Sequence, residues 1–133
     1  MIVDASAILA ILLSEPEREQ FENALAGDIA PKISAASYLE AGIVIDSMRD
    51  PLQSRMFNDF LAEAEISIEP VTADQAAIAR AAYRDFGRGS GHPAQLNFGD
   101  CFTYALAKDV GEDVLFKGED FIHTDIQPAV RIG

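Results

Sequence analysis

Four acidic residues lie where their carboxylates could act together. In chain order they are Asp4, Glu40, Asp100 and Asp120. Carboxylate oxygens without a histidine or cysteine among them are ligands that suit Mg²⁺ or Mn²⁺ better than zinc. Like charges held close together repel, so such a cluster costs stability unless a cation lies between its members. These residue types therefore indicate a candidate site for a hard divalent metal.

The same residues also have a purely structural explanation. Asp and Glu are favoured at helix N-termini, where they cap backbone N–H groups and meet the positive end of the helix dipole. The segment Ser37-Tyr38-Leu39-Glu40 has the sequence of a capping box, in the first turn of a predicted helix. Asn97 can cap the helix that carries Asp100, and Asp4 can be a plain N-cap. Because the chain has 22 acidic residues, position alone leaves both explanations open.

The hydrophobic pattern predicts strands that alternate with helices. Short apolar runs predict strands at residues 1–3, 32–35, 66–71, 114–116 and 130–132. Periodicity and end signals predict helices at residues 5–13, 16–26, 37–48, 51–65, 73–86 and 99–109. This order indicates a parallel sheet with helices on both faces. Ligands of such sheets bind beyond the carboxyl ends of the strands, so all four carboxylates are expected near that edge.

Length and composition restrict the class of protein. A chain of 133 residues fits one domain, and 49% apolar residues fit a packed core. The single cysteine, Cys101, excludes an internal disulfide and fits a reducing compartment. The apolar run at the start is interrupted by Asp4 and has no basic residue before it, so neither a signal peptide nor a membrane span is expected. We therefore expect a cytoplasmic protein.

The charge of the chain excludes a broad, electrostatically driven nucleic-acid binder. The net charge is −12, whereas phosphate backbones attract Lys and Arg. An enzyme that meets phosphate through metal ions on its own carboxylates is still compatible, and solubility is the simpler explanation. Arg80, Arg84 and Arg88 recur every four residues, which places them on one side of a continuous helix, unless Gly87 ends the helix before Arg88. They are candidates to bind phosphates or an acidic partner, and the alternative is a solvated face with Arg84 beside Asp85.

Four sequence segments in a fixed order add a more specific signal. They are V-D-A-S-A at the start, S-A-A-S-Y-L-E about thirty residues on, L-N-F-G-D-C-F-T-Y-A-L-A near position 100 and L-F-K-G-E-D-F near position 120. Together they resemble the PIN-domain family, and more narrowly its VapC ribonuclease toxins. The resemblance spans nearly the whole chain. It implies a single domain over residues 1–133, with an α/β fold that is a three-layer α/β/α sandwich around a mainly parallel sheet.

The resemblance also implies roles for the acidic residues. Asp4, Glu40 and Asp100 fall on the family's three central acidic positions. The fourth is assigned to Asp120, which precedes a phenylalanine as in a D-F ending common in the family, with Glu119 as the alternative. The preceding F-K-G departs from the Thr-x-Asn or Thr-x-Asp segment of many relatives.

A metal-dependent endoribonuclease is the activity that this family implies. One or two Mg²⁺ or Mn²⁺ ions would screen the phosphodiester, activate a water and leave a 5′-phosphate and a 3′-hydroxyl. Asp4 and Asp100 would hold the principal ion, Glu40 would complete its shell or orient the water, and Asp120 would hold a second ion.

Three more polar residues are candidates to contact the substrate. Ser6 is placed to hydrogen-bond a site carboxylate or the scissile phosphate, with a local backbone bond as the alternative. Asn97 has the same options, with capping favoured. Lys117 follows a strand and can reach a phosphate, pair with a site carboxylate or stay solvated. Cys101 is expected to be a small buried residue rather than a nucleophile.

The family resemblance further implies an RNA substrate, a small VapB-like antitoxin as a protein partner, and a homodimer. The apolar stripe of residues 52–61 offers surface for a partner or for self-association. A catalytically inactive PIN-like interaction module is one alternative, and the intact acidic residues weigh against it. A receiver-like phospho-acceptor domain is another, and the single carboxylate after the first strand weighs against that. Which RNA is cleaved does not follow from the sequence.

Overall fold

The strands form one parallel sheet. A computed structural model describes residues 1–130, with β1 at Ile2–Val3, β2 at Lys32–Ser34, β3 at Ser67–Glu69 and β4 at Val114–Leu115. Their order in the sheet is β3-β2-β1-β4, and each neighbouring pair is parallel. The chain builds outward from β1 to β3 and then returns to the other side of β1. The carboxyl end of β1 therefore lies where the strand order reverses, which is where such sheets bind ligands.

Six helices connect these strands within residues 1–130. They are α1 Ala5–Leu12, α2 Arg18–Ala26, α3 Ala35–Ser47, α4 Pro51–Glu63, α5 Ala73–Phe86 and α6 Phe98–Val110. Each predicted helix is confirmed, with ends that differ by at most two residues. None of the helices in this part of the chain is both long and apolar enough to cross a membrane. The strand predicted at residues 130–132 falls mostly outside the described residues, and shortly before it Pro128 makes a single parallel bridge to Val114.

Two hydrophobic cores lie on opposite faces of the sheet. Ile2 and Val114, which are paired across β1 and β4, pack with α5 and α6 on one face. Their neighbours Val3 and Leu115 pack with α1, α2, α3 and α4 on the other. Successive side chains of each strand thus point to opposite faces, which is the two-residue period of a strand. Each fully buried side chain of this size stabilises the fold by about 1.5–3 kcal/mol. The expected three-layer α/β/α sandwich is thus confirmed.

Helix α3 does not begin at the expected capping box. It starts at Ala35 because the Ser34 hydroxyl, at the end of β2, accepts a hydrogen bond from the Ala36 N–H at 3.3 Å. Ser37 is buried, and its hydroxyl lies 3.0 Å from that of Thr103. Glu40 consequently lies beyond the first turn of α3. The interpretation of Glu40 as a capping residue is wrong, so its position needs another explanation.

Candidate metal centre

Asp4 is hydrogen-bonded through both carboxylate oxygens. It follows β1, is the N-cap of α1 and is only 6% exposed. Its Oδ2 accepts from the Ser6 N–H at 3.1 Å and from the Ser6 hydroxyl at 2.6 Å, and its Oδ1 accepts from the Thr103 hydroxyl at 2.6 Å. Hydrogen bonds to a charged acceptor stabilise by about 1.5–3 kcal/mol each. Asp4 is therefore an N-cap and a fixed carboxylate at once, and Ser6 contacts a site carboxylate as predicted.

Buried hydroxyl groups support Asp4 from three elements. Thr103 donates to Asp4, so Ser37 of α3 donates in turn to Thr103 of α6. On the other side, the Ser6 hydroxyl accepts the Lys117 backbone N–H at 2.9 Å, which ties α1 to the segment after β4. Thr103 and Ser37 are absent from the residues predicted from the sequence. The available signal was the spacing of Thr103, three residues after Asp100 and hence on the same helix face.

Asp100 and Asn97 form a reciprocal capping box at the start of α6. The Asn97 side chain accepts from the Asp100 N–H at 2.8 Å, and Asp100 Oδ2 accepts from the Asn97 N–H at 3.0 Å. The capping role expected of Asn97 is confirmed. The capping bond also fixes the orientation of the Asp100 carboxylate at the carboxyl edge of the sheet.

The environment of Asp100 opposes its ionisation. The pKa of Asp100 is raised from 3.8 to about 7, first by burial and then by the nearby charges of Asp120 and Asp4, against the hydrogen bond from Asn97, which lowers it. Without a cation, this carboxyl group therefore keeps a proton close to neutral pH. A divalent cation would take the place of that proton, because metal ligands bind in their deprotonated form.

Glu40 reaches the same region from α3 and packs against Gly99. A β-carbon at position 99 would overlap the Glu40 carboxylate. Burial, and then the charge of Asp4, raise the pKa of Glu40. The glycine of the N-F-G-D segment is thus explained by the close approach of Glu40.

The fourth carboxylate that faces the cluster is Asp120 rather than Glu119. The charge of Asp120 raises the pKa of Asp100, which places the Asp120 carboxylate close to that of Asp100. Glu119 instead lines a cavity of about 600 Å³ together with Phe116 and Lys117. The geometry therefore favours Asp120 for the fourth position.

The chemistry of the donor set fits a hard divalent cation. All four groups are carboxylates, and Asp4 and Asp100 are held in place while Glu40 and Asp120 are exposed. Within residues 1–130, no three acidic, histidine or cysteine side chains already surround one ion position. Uncompensated carboxylates are expected to stay apart in this way. We infer that the two exposed side chains would close on an ion beside the two fixed ones.

Lys117 does not pair with the site carboxylates. Its ammonium lies 2.9 Å from Glu15 Oε2 and 3.2 Å from Glu17 Oε2, and hydrogen bonds to these two acids raise its pKa. The prediction that its side chain pairs with a site carboxylate is wrong, because the turn between α1 and α2 brings two other acids closer. Lys117 supports the site through its backbone N–H, which binds Ser6.

The three arginines do not form one row. Helix α5 ends at Phe86, and Gly87 continues as extended backbone, so Arg88 lies in the loop beyond the helix. Arg84 pairs with the adjacent Asp85 at 3.0 Å on the surface. Arg80 borders a pocket between α5 and α6, described below. The three side chains therefore do not share one helix face, and Arg84 follows the alternative of a surface arginine beside Asp85.

Cys101 is buried, as expected. Its thiol donates to the Asn97 carbonyl, and burial, followed by the charge of Asp100, raises its pKa to about 11. At neutral pH it is a protonated thiol, which is a poor nucleophile.

Comparison with known proteins gives one family. The family model of the PIN domain matches residues 1–127. Ribonuclease VapC28 of Mycobacterium tuberculosis is 58% identical over 130 residues, which cover 98% of this chain and 98% of that protein. Ribonuclease VapC42 of the same species is 47% identical over 129 residues, which cover 97% of this chain and 98% of that protein.

Two solved structures share the fold. VapC20 of Mycobacterium tuberculosis, a sarcin–ricin loop cleaving toxin, has a TM-score of 0.70 at 16% identity and covers 96% of this chain and 98% of its own. A toxin–antitoxin complex from Klebsiella pneumoniae has a TM-score of 0.70 at 19% identity and covers 98% of each chain. At these identities the two structures establish the fold alone.

Asp100→Asn is expected to remove a pH-dependent loss of stability in the metal-free protein. The folded pKa of about 7 lies above the ordinary 3.8, so the unfolded chain ionises first as pH rises. The fold therefore loses stability between about pH 4 and pH 7, and the loss is constant above that range. Asn cannot ionise and still accepts from Asn97. One pKa unit corresponds to about 1.36 kcal/mol, which is discounted here for partial solvation. The free energy of unfolding of the variant, relative to wild type, should therefore be roughly 1–3 kcal/mol higher at pH 8 than at pH 5.

Urea unfolding in EDTA at the two pH values measures this difference. Glu119→Gln, a neighbouring exposed carboxylate, serves as the control and should show no such gain. If the free energy of unfolding differed by the same amount between wild type and Asp100→Asn at both pH values, the assignment of a raised pKa to Asp100 would be contradicted.

Proposed function

We propose, because this chain belongs to the PIN-domain family and within it to the VapC ribonucleases, that its carboxylate cluster is the metal centre of an endoribonuclease toxin. The observation that supports this assignment is that Asp4, Glu40, Asp100 and Asp120 lie near one another, since the charge of Asp4 acts on Glu40 and those of Asp4 and Asp120 act on Asp100. The raised pKa values of Asp100 and Glu40 reflect the cost of that arrangement without a cation.

The proposed reaction is hydrolysis of an RNA phosphodiester to a 5′-phosphate and a 3′-hydroxyl. Asp4 and Asp100 would hold the principal Mg²⁺ or Mn²⁺, and Asp120 would hold a second. The bound metal would supply screening of the phosphate charge and a lowered pKa of the attacking water. A chain of net charge −12 would otherwise repel this substrate.

The protein's own residues orient the reaction. Ser6 and Thr103 hold the Asp4 carboxylate in one rotamer, and the Asn97 N–H holds Asp100. Glu40 is exposed, and its raised pKa makes it the residue suited to accept a proton from the attacking water. No nucleophilic side chain is needed, which agrees with the buried, protonated thiol of Cys101.

A small antitoxin of the VapB kind is the proposed protein partner. The acidic pocket would attract a basic side chain, and an antitoxin arginine among Asp4, Glu40 and Asp100 would displace metal and block substrate together. The structural similarity to a toxin–antitoxin complex supports this partner. We also propose a homodimer with two-fold symmetry, the commonest oligomer.

The apolar surface of α3 and α4 supports the homodimer. Its exposed members are Leu39, Ile43, Met48, Leu52 and Met56. Phe57 and Leu61, from the apolar stripe predicted on α4, are buried in the core, so only part of that stripe is left over. An exposed apolar surface of this kind is typical of protein–protein interfaces. In a dimer with two-fold symmetry, the same surface would be buried on both subunits.

The protein, purified without a partner, is expected to cleave RNA in the presence of Mg²⁺ or Mn²⁺ and to lose this activity in EDTA. Asp4→Asn, Glu40→Gln and Asp100→Asn should lose most of the activity. Thr103→Val, which removes the hydrogen bonds of Thr103 to Asp4 and Ser37, should lose roughly 10- to 100-fold in activity. Asp120→Asn should be impaired while the adjacent Glu119→Gln is not. A fluorogenic RNA assay measures these rates, and undiminished cleavage by Asp100→Asn would rule out the mechanism. A folded wild type that cleaves nothing would favour the inactive interaction module.

Gly99→Ala is expected to act through Glu40. The new β-carbon displaces the Glu40 carboxylate, which is the end of a flexible side chain, so stability should change by less than about 1 kcal/mol. Cleavage should fall to the level of Glu40→Gln, and the double variant Gly99→Ala/Glu40→Gln should lose no more than either single variant. Multiplicative losses in the double variant would show that Gly99 acts independently of Glu40.

Expression of the chain alone is expected to arrest bacterial growth, because an open metal-dependent ribonuclease would degrade cellular RNA. Co-expression with a small neighbouring antitoxin gene should restore growth and yield a stable complex. Expression of Asp100→Asn alone should be tolerated, which controls for the burden of overproduction. Normal growth with abundant soluble wild-type protein and no partner would defeat the toxin assignment, even if cleavage were seen in vitro.

A further inference from the structure

An apolar pocket of about 250 Å³ lies between α5 and α6. From α6 it is lined by Phe98, Cys101 and Phe102. Asp100 and Thr103 project from the opposite side of the same helix, toward Asp4, as the helical period requires. Phe98 is the first residue of α6, so the pocket opens at the same end of the helix as the carboxylates. The pocket and the metal centre thus lie on either side of one helix end.

The walls of this pocket are exposed aromatic rings. The Phe98 side chain is 77% exposed and contacts Phe102 edge-to-face, with ring centroids 4.9 Å apart. Tyr83, on α5, is 44% exposed and lines the other side. Ala76 and Cys101 are small residues that leave the space between the rings open. Typical small-molecule sites measure roughly 300–1,000 Å³, so this smaller space suits one flat ring.

A cation borders the same pocket. Arg80 of α5 lines it, and no carboxylate of residues 1–130 lies within ion-pair distance of this guanidinium. Arg84, one turn further along α5, is by contrast paired with Asp85. In a chain of net charge −12, an arginine without an acidic partner beside exposed aromatic rings suits a ligand that is both anionic and aromatic.

A nucleotide has this combination of chemistry. An α-helix with its side chains is about 10–12 Å across, and successive nucleotides of a stacked strand rise by about 3.4 Å. A strand with one phosphate at the carboxylates would therefore bring a base about three nucleotides away to the pocket.

We propose that this pocket binds an unstacked nucleobase of the single-stranded RNA substrate. The base stacks between Phe98 and Tyr83, and Arg80 binds its phosphate. The proposal rests on the ribonuclease function proposed above and gives that site a determinant of substrate choice beyond the metal centre. Bases stack on aromatic side chains whatever their identity, so the pocket selects for an unpaired nucleotide at a fixed distance from the cut.

Fluorescence of 2-aminopurine tests the contact without cleavage. A single-stranded RNA with 2-aminopurine at successive positions is titrated with Asp100→Asn, which is expected not to cut. The chain has no tryptophan, so the probe is not masked by protein fluorescence. Quenching should peak at one position and disappear in Asp100→Asn/Phe98→Ala, with affinity reduced about 10- to 100-fold. Phe98→Tyr should retain both signals.

Steady-state cleavage gives a second readout. In the otherwise native protein, Phe98→Ala and Arg80→Ala should raise KM about tenfold or more and change kcat little. The matched controls are Ile29→Ala, an apolar side chain 96% exposed, and Arg55→Ala, an exposed arginine on α4. An RNA with an abasic nucleotide at the quenched position should lose affinity for the wild type but not for Phe98→Ala.

Different outcomes identify different failures. Unchanged KM and quenching in both variants, with active enzyme, would overturn the pocket and leave the ribonuclease function intact. Light scattering would show a different occupant if Phe98→Ala converted a dimer to a monomer while the quenching of 2-aminopurine stayed unchanged. In that case a second copy of the chain occupies the pocket. A wild type that shows no cleavage would overturn the proposed function, and loss of quenching in Phe98→Ala would still support the pocket.

Discussion

The cost of burying carboxylates close to one another is the constraint on which the site of this structure depends. Asp4, Glu40, Asp100 and Asp120 come from four separate segments, and the parallel sheet brings them to the carboxyl end of β1. Burial and neighbouring charge raise the pKa values of Asp100 and Glu40. The fold tolerates this because hydroxyl and backbone donors satisfy Asp4 and Asp100 directly. The energy that keeps the acids together comes from the two cores on either side of the sheet.

Sequence reasoning succeeded where the controlling interactions are local. The helices, the Asn97 cap and the order of the elements depend on residues within a turn or two of each other, so periodicity and capping rules recover them. Asp4 and Asp100 were found as candidates because a strand end and a helix start are visible in the sequence. Their joint role as metal ligands follows only from the four sequence segments that resemble the PIN-domain family.

The errors share a physical cause, which is competition from another residue, one helical turn away for Ser37 and distant in sequence for Lys117. Ser37 has the spacing of an N-cap, but Ser34 begins the helix one turn earlier and frees Ser37 to bind Thr103. Lys117 follows a strand near the site, yet Glu15 and Glu17 lie closer to its ammonium. Such outcomes depend on how α1, α3 and α6 pack, and no short-range rule contains that information.

Calorimetric titration of Mn²⁺ into the protein tests the central claim, that these carboxylates form one metal centre, most directly. In buffers of different ionisation enthalpy, the titration also counts released protons. Since the pKa of Asp100 is about 7 in the metal-free protein, binding should release close to one proton at pH 6 and almost none at pH 8.5. Asp100→Asn should bind Mn²⁺ more weakly and release about one proton fewer than the wild type at pH 6. Absence of Mn²⁺ binding to the wild type, or binding with the same affinity and proton release in Asp100→Asn, would contradict the account.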